Sequence, residues 1–199
     1  MSIEIDTPEG PARVHVNAAS AAKGALVLGH GAGGGIEAPD LVRAAKVAVD
    51  AGVTVALVEQ PYRVAGRRSS PPAPRLDAAW TAVLEELRGG ELEGLPLITG
   101  GRSAGARVAC RTAAATGASA VLCLAFPEHP PGKPEKSRQA ELDAVTLPTL
   151  VVQGESDPFG MPSEGPKRKV VVVPGNHSLK AGLDAAGAAI ADWLPTVVQ

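Results

Sequence analysis

Aromatic side chains are scarce in this sequence. Its 199 residues include two Trp, two Phe and one Tyr, so Val, Leu, Ile and Ala must build the core. Cysteine is scarcer still. Cys110 and Cys123 are too few to form a metal set. They fall on a predicted helix and a predicted strand, where buried free thiols are expected, as in a reducing cytoplasm. Neither sign of charge is in excess: 19 Lys+Arg stand against 21 Asp+Glu, a net charge of −2 with no acidic or basic tail. That balance excludes nucleic acid and a membrane surface as main partners. No apolar run approaches the ~18–20 residues of a transmembrane helix. Met1 is followed by the polar, acidic Ser2-Ile3-Glu4-Ile5-Asp6, so no signal peptide is expected and the predicted location is cytoplasmic.

What is present fits a globular chain, with 45% hydrophobic and 20% charged residues. The length suits one domain over residues 1–199, without a repeat or a linker between two cores. Alternation predicts a hairpin from Ile3–Asp6 and Arg13–Val16 around Pro8-Glu9-Gly10. Further strands are predicted at Ala25–Leu28, Val53–Val58, Leu95–Thr99, Ala120–Ala125, Pro148–Val152 and Val170–Val173. Between them, helical patterns are predicted at Pro39–Asp50, Leu76–Leu87, Ala104–Ala115 and Leu179–Leu194. Residues 60–75 and the proline-dense stretch Phe126–Lys136 read as loops, and Lys167-Arg168-Lys169 as a solvated turn. A hairpin followed by repeated β–α units predicts an α/β fold with a mostly parallel sheet.

Gly101-Arg102-Ser103-Ala104-Gly105 reads G-x-S-x-G between an apolar run and a stretch of helix formers. That setting suits a nucleophile elbow, a tight strand-to-helix turn that lifts a serine hydroxyl above a sheet. A serine hydroxyl is a poor nucleophile near neutral pH and needs a histidine base with a carboxylate to orient it. In such sheets, functional groups gather at the carboxyl ends of the strands. After one strand comes Gly154-Glu155-Ser156-Asp157-Pro158; after the next comes Pro174-Gly175-Asn176-His177-Ser178. Ser103 is therefore expected as nucleophile, His177 as base and Asp157 as the orienting acid, with Glu155 as a rival carboxylate. His15 and His129 lie outside the place expected for the base.

Acyl transfer also needs two backbone N–H donors for the developing oxyanion. Ala104, the residue after the nucleophile, is expected to give one. The glycine-rich loop His30-Gly31-Ala32-Gly33 is expected to give the other, from Ala32 or from Gly33, with His30 orienting the loop. Gly29 to Gly34 also satisfies G-x-G-x-x-G. A dinucleotide fingerprint needs the helix to open within the glycines, whereas Ile36-Glu37-Ala38 intervene before Pro39. Nucleotide binding is therefore not expected.

With these residues the chain resembles the α/β-hydrolase superfamily over nearly its full length. It is similar to the small branch that includes dienelactone-hydrolase-like proteins, testis-expressed Tex-type proteins and subunit three of the NSL histone-acetyltransferase complex. The resemblance is carried by His30-Gly31-Ala32-Gly33, Gly100-Gly101-Arg102-Ser103-Ala104-Gly105, Gln153-Gly154-Glu155-Ser156-Asp157-Pro158-Phe159-Gly160 and His177. Most specific is the run from Phe126 to Glu135, with its His-Pro-Pro-Gly-Lys-Pro-Glu core. The resemblance implies about eight strands, helices on both faces, no cap domain, and the triad assigned above. Dienelactone hydrolases use a cysteine nucleophile, so Ser103 does not carry their substrate over.

The expected function is a cofactor-free, metal-free serine hydrolase acting on a small-molecule ester or thioester through an acyl-enzyme, as a monomer or homodimer. The alternative is a hydrolase-fold binding or scaffold protein with little or no turnover. Tyr62 and Arg63 on the first loop, and His129 on the proline-rich loop, are expected at the rim as substrate contacts. An arginine there (Arg63 or Arg67) would suit a planar anion on the substrate.

Overall fold

The computed structural model describes residues 1–198 and contains one eight-stranded sheet in the order β1-β2-β4-β3-β5-β6-β7-β8. The strands are β1 (Ser2–Ile5), β2 (Ala12–Asn17), β3 (Gly24–Gly29), β4 (Val53–Glu59), β5 (Leu97–Arg102), β6 (Ala120–Leu124), β7 (Thr149–Gly154) and β8 (Arg168–Val173). β1–β2 and β2–β4 pair antiparallel, and every later pair is parallel. Six helices accompany them: α1 (Pro39–Asp50), α2 (Pro61–Val64), α3 (Ala73–Gly89), α4 (Ala104–Thr116), α5 (Gln139–Asp143) and α6 (Leu183–Trp193).

The strands are apolar runs because both faces are covered. Along β3 the side chains alternate between two cores. Leu26 and Leu28 pack with Leu41, Ala44 and Ala48 of α1 and with Ile190 and Trp193 of α6. Ala25 and Val27 face the opposite side, towards Trp80, Val83, Leu84 and Leu87 of α3. A third cluster packs Ala106, Ala109 and Cys110 of α4 onto Val121, Cys123 and Val151. Each fully buried Leu contributes about 1.5–3 kcal/mol relative to an exposed one. Trp80, 1% exposed, supplies bulk that the aromatic-poor sequence otherwise lacks.

The expected architecture is present: a mostly parallel α/β sheet with helices packed on both faces. Between β6 and β7 stand only a short 3-10 turn (Pro134–Lys136) and α5. Several local expectations need correction. β5 begins two residues later than Leu95, because the Leu95 N–H closes a turn onto the Leu92 carbonyl and Pro96 has no N–H to give to a ladder. It ends at Arg102, since Gly100 and Gly101 continue the parallel ladder against Leu28 and Gly29. Residues 60–75 are not all loop, since α2 lies there and α3 starts at Ala73. β6 stops at Leu124 because Ala125 turns to φ 48°, and α6 starts at Leu183 because Leu179 sits at φ 53°. Arg168 is not in a solvated turn. It opens β8, and its guanidinium pairs with Asp143 at 2.8 Å.

Candidate active site

Ser103 sits between β5 and α4 with φ 52° and ψ −110°, a left-handed conformation that costs a non-glycine residue on the order of 1–3 kcal/mol. Its neighbours in the motif are glycines for a steric reason. A Cβ on Gly101 would lie 2.5 Å from the Gly29 carbonyl oxygen, and one on Gly105 would lie closer still. The elbow can thus press against the end of β3 only without side chains at both positions. The Ser103 N–H donates to the Leu124 carbonyl at 2.9 Å and ties the turn to β6.

His177 lies in the loop after β8, its ring between Ser103 and Asp157. Nε2 is 3.0 Å from Ser103 Oγ, and Nδ1 is 2.8 Å from Asp157 Oδ2. A carboxylate only accepts, so Nδ1 carries the proton and Nε2 is free to accept from the serine hydroxyl. The Asp157 side chain is wholly buried. Its Oδ1 accepts the Phe159 N–H at 2.8 Å, and its Oδ2 also accepts from Gln153 Nε2 at 2.9 Å. Glu155, the rival acid, is exposed on the same loop. The Phe159 ring covers the imidazole of His177, with centroids 4.1 Å apart and planes tilted by 30°.

Ala104 is the first residue of α4, so its N–H has no intrahelical acceptor and lies at the positive end of the helix dipole. The glycine loop comes alongside: a Cβ on Gly31 would lie 3.7 Å from Ser103 Cβ. His30 orients this loop, as expected. Its Nε2 accepts the Gln60 N–H at 3.1 Å, so Nδ1 bears the proton and donates to the Gly31 carbonyl at 2.8 Å. Burial pushes the His30 pKa below its usual value, against the opposing effect of the bond to Gly31, and the Arg63 charge adds to the lowering. A trans peptide is planar, so its N–H points opposite to its C=O. Fixing the Gly31 carbonyl therefore fixes the Ala32 N–H.

Tyr62, expected at the rim, is instead buried beneath the loop. Its hydroxyl donates to the Ala32 carbonyl at 2.9 Å, and its ring meets that of His30 edge-on. Arg63 is half-buried on α2, close enough to Tyr62 and His30 for its charge to act on both. His129, also expected at the rim, reaches the triad only through Phe159. Its N–H donates to the Phe159 carbonyl at 2.8 Å, and its ring fills the space that a side chain on Gly160 would need. The proline-rich loop is thereby tied to the residue that stacks on His177.

Four contributors are given no role by the sequence: Arg102, Gln153 and Phe159, which lie inside the motifs quoted above, and Asp40. A signal exists for one of them, since Gln153 is a polar residue at the end of an apolar strand. Among the described residues no group of three or more His, Cys, Asp or Glu side chains gathers to hold a metal. No described helix is long and apolar enough to cross a membrane. The glycines after β3 open no helix, for α1 begins only at Pro39. Cys110 and Cys123 are buried and unbridged, their sulfurs 3.5 Å apart.

A family model described as an alpha/beta hydrolase domain matches residues 22–186. No curated protein matches the sequence. Among solved structures, an α/β serine hydrolase without lid from Xanthomonas campestris is similar, with TM-score 0.83 and 21% identity over 100% of this chain and 94% of that one. Est1E from Butyrivibrio proteoclasticus gives TM-score 0.80 at 16% identity, over 99% of this chain and 98% of that one. A dienelactone hydrolase from Anabaena variabilis gives 0.77 at 17% identity, over 100% and 98%. At these identities the likeness is one of fold.

Proposed function

The chain belongs to the alpha/beta hydrolase domain family, and from that premise we propose that it is a serine hydrolase cleaving a small-molecule ester or thioester. One observation carries the proposal: an unbroken hydrogen-bond chain from Ser103 Oγ through His177 to buried Asp157, at 3.0 and 2.8 Å, on a backbone-strained serine. Ser103 Oγ attacks the substrate carbonyl carbon while His177 Nε2 takes the hydroxyl proton. Asp157 holds the imidazole in the required tautomer and stabilises the imidazolium that forms. The tetrahedral oxyanion is bound by the N–H groups of Ala104 and Ala32, each such donor contributing about 2.7–4 kcal/mol. Gly33 is the alternative second donor.

Collapse of the intermediate breaks the bond to the leaving alcohol or thiol, which takes its proton from His177. Water, deprotonated by the same nitrogen, then attacks the acyl-enzyme and releases the acid and Ser103. The buried, unbridged thiols suit a reducing cytoplasm. The test is covalent labelling with a fluorophosphonate. Labelling of the wild type that disappears in Ser103→Ala supports the proposal, and a panel of short-chain esters, thioesters and lactones then defines the substrate. Folded wild type that takes no label would overturn it in favour of a binding protein.

A further inference from the structure

Arg102 is the unspecified residue of the G-x-S-x-G pattern, yet its side chain is only 18% exposed. Three segments distant in sequence converge on its guanidinium. Nε lies 2.9 Å from Oδ2 of Asp40, in the first turn of α1, whose side chain is 1% exposed. This is an ion pair rather than an aligned hydrogen bond, since Oδ2 has no hydrogen-bond donor among the described residues. Nη2 donates to the backbone carbonyl of His177 at 2.9 Å. Nη1 packs against Gly31, where a Cβ would come within 2.9 Å of it. One rigid, planar cation thus touches the base loop and the oxyanion loop, while its own backbone adjoins the nucleophile.

We infer that Arg102 is a positioning residue, which with Asp40 as its anchor holds the His177 loop and the Gly31–Gly33 loop in register with Ser103. The inference rests on the serine-hydrolase reading for its catalytic consequence, and on geometry alone for its structural one. A buried ion pair is a poor source of net stability, because desolvation offsets the Coulomb attraction. Its evident product here is geometry. Burial raises the Asp40 pKa, and the nearby Arg102 charge opposes that rise. Lysine cannot replace this arrangement, because an ammonium is a compact point charge without the fork that reaches several partners at once. The Ser103 Oγ–His177 Nε2 contact depends on where the His177 backbone is held. A displacement of about 1 Å at a reacting group costs about 100-fold in rate.

The experiment compares wild type, Arg102→Lys, Arg102→Met and Asp40→Asn by p-nitrophenyl acetate kinetics, fluorophosphonate labelling rate and crystallography. Arg102→Lys keeps a cation beside Asp40 and folds. Its kcat and its labelling rate are expected to fall about 10- to 100-fold with KM within about twofold. In its crystal structure the His177 Nε2–Ser103 Oγ separation lengthens beyond hydrogen-bonding reach. An Arg102→Lys protein with that separation unchanged overturns the inference, whether or not the wild type turns over. So does a folded Arg102→Met or Arg102→Lys with wild-type kcat. A wild type silent to both ester and fluorophosphonate overturns the hydrolase reading instead, and leaves the crystallographic comparison to decide the role of Arg102.

Discussion

The Tyr62 hydroxyl donates to the carbonyl oxygen of Ala32 at 2.9 Å, from a side chain that is 6% exposed. Because the peptide is planar, this bond fixes the N–H of Gly33, just as the His30–Gly31 bond fixes that of Ala32. Tyr62 and His30 therefore control adjacent donors of one loop. With Ala32 as the oxyanion donor, Tyr62→Phe loosens only the neighbouring peptide. It should lower kcat about two- to tenfold, the worth of one ordinary hydrogen bond, and leave KM unchanged. A loss of about 100-fold or more, the size of a missing oxyanion donor, would move that role to Gly33.

His30 makes stability depend on pH in a defined direction. Its folded pKa lies below its ordinary value because of burial, so the unfolded chain binds the proton more readily. Stability from this group is full above the unfolded value of about 6.5 and is lost as pH falls from there through the folded value. Urea midpoints at pH 7 and pH 5 should show a larger drop for wild type than for His30→Gln. Equal drops would show that His30 gains its proton without penalty.

Much of this is legible in the sequence, because the order of strands and helices follows from apolar runs and glycine stops. Ser103, Asp157 and His177 stand out by their places, each just after a strand of its own. What escapes is whatever depends on contact between distant segments. Gly100 and Gly101 lie beyond the expected strand end at Thr99, yet close approach of β3 and β6 keeps them in the ladder. Tyr62 looks like a rim residue because it follows a strand in a Pro- and Arg-rich stretch. Only the folded chain shows its hydroxyl beneath Ala32. Arg102 looks interchangeable because the motif leaves its position open, and Asp40 looks like an ordinary first-turn acid.

A glycine of the serine elbow and one of the oxyanion loop should respond oppositely to a methyl group. Gly105→Ala would drive a Cβ into the Gly29 carbonyl oxygen, a backbone atom that cannot move without shifting β3. Overpacking of this kind costs about 1–3 kcal/mol or more, and labelling of Ser103 should be lost with it. Gly33→Ala meets nothing within 4 Å and does not need a positive φ. It should fold and label like wild type. Thermal melts with fluorophosphonate labelling read both variants, and a stable, reactive Gly105→Ala would contradict the packing described for the elbow.

Gln153 determines the surroundings of Asp157. Its Nε2 lies 2.9 Å from Asp157 Oδ2, 2.9 Å from the Gly160 carbonyl and 3.1 Å from the Phe126 carbonyl. All three are acceptors, so the amide cannot be flipped, and its fully buried Oε1 has no partner among the described residues. Gln153→Leu strips donors from those acceptors and should cost about 1–3 kcal/mol, with a fall in kcat as Asp157 is freed. Gln153→Glu is the sharper test. A neutral carboxylic acid there can still donate one proton, whereas an ionised one faces Asp157 as a like charge in a buried site. Both burial and repulsion raise the pKa of the new acid above its unfolded value. Its stabilising contribution is then present below the unfolded value of about 4.3 and is lost as pH rises through the folded one. Denaturant midpoints of Gln153→Glu should therefore fall further behind wild type at pH 8 than at pH 5. A deficit that does not grow with pH would mean that the introduced carboxylate accommodates its charge, and that Gln153 is not the donor holding Asp157.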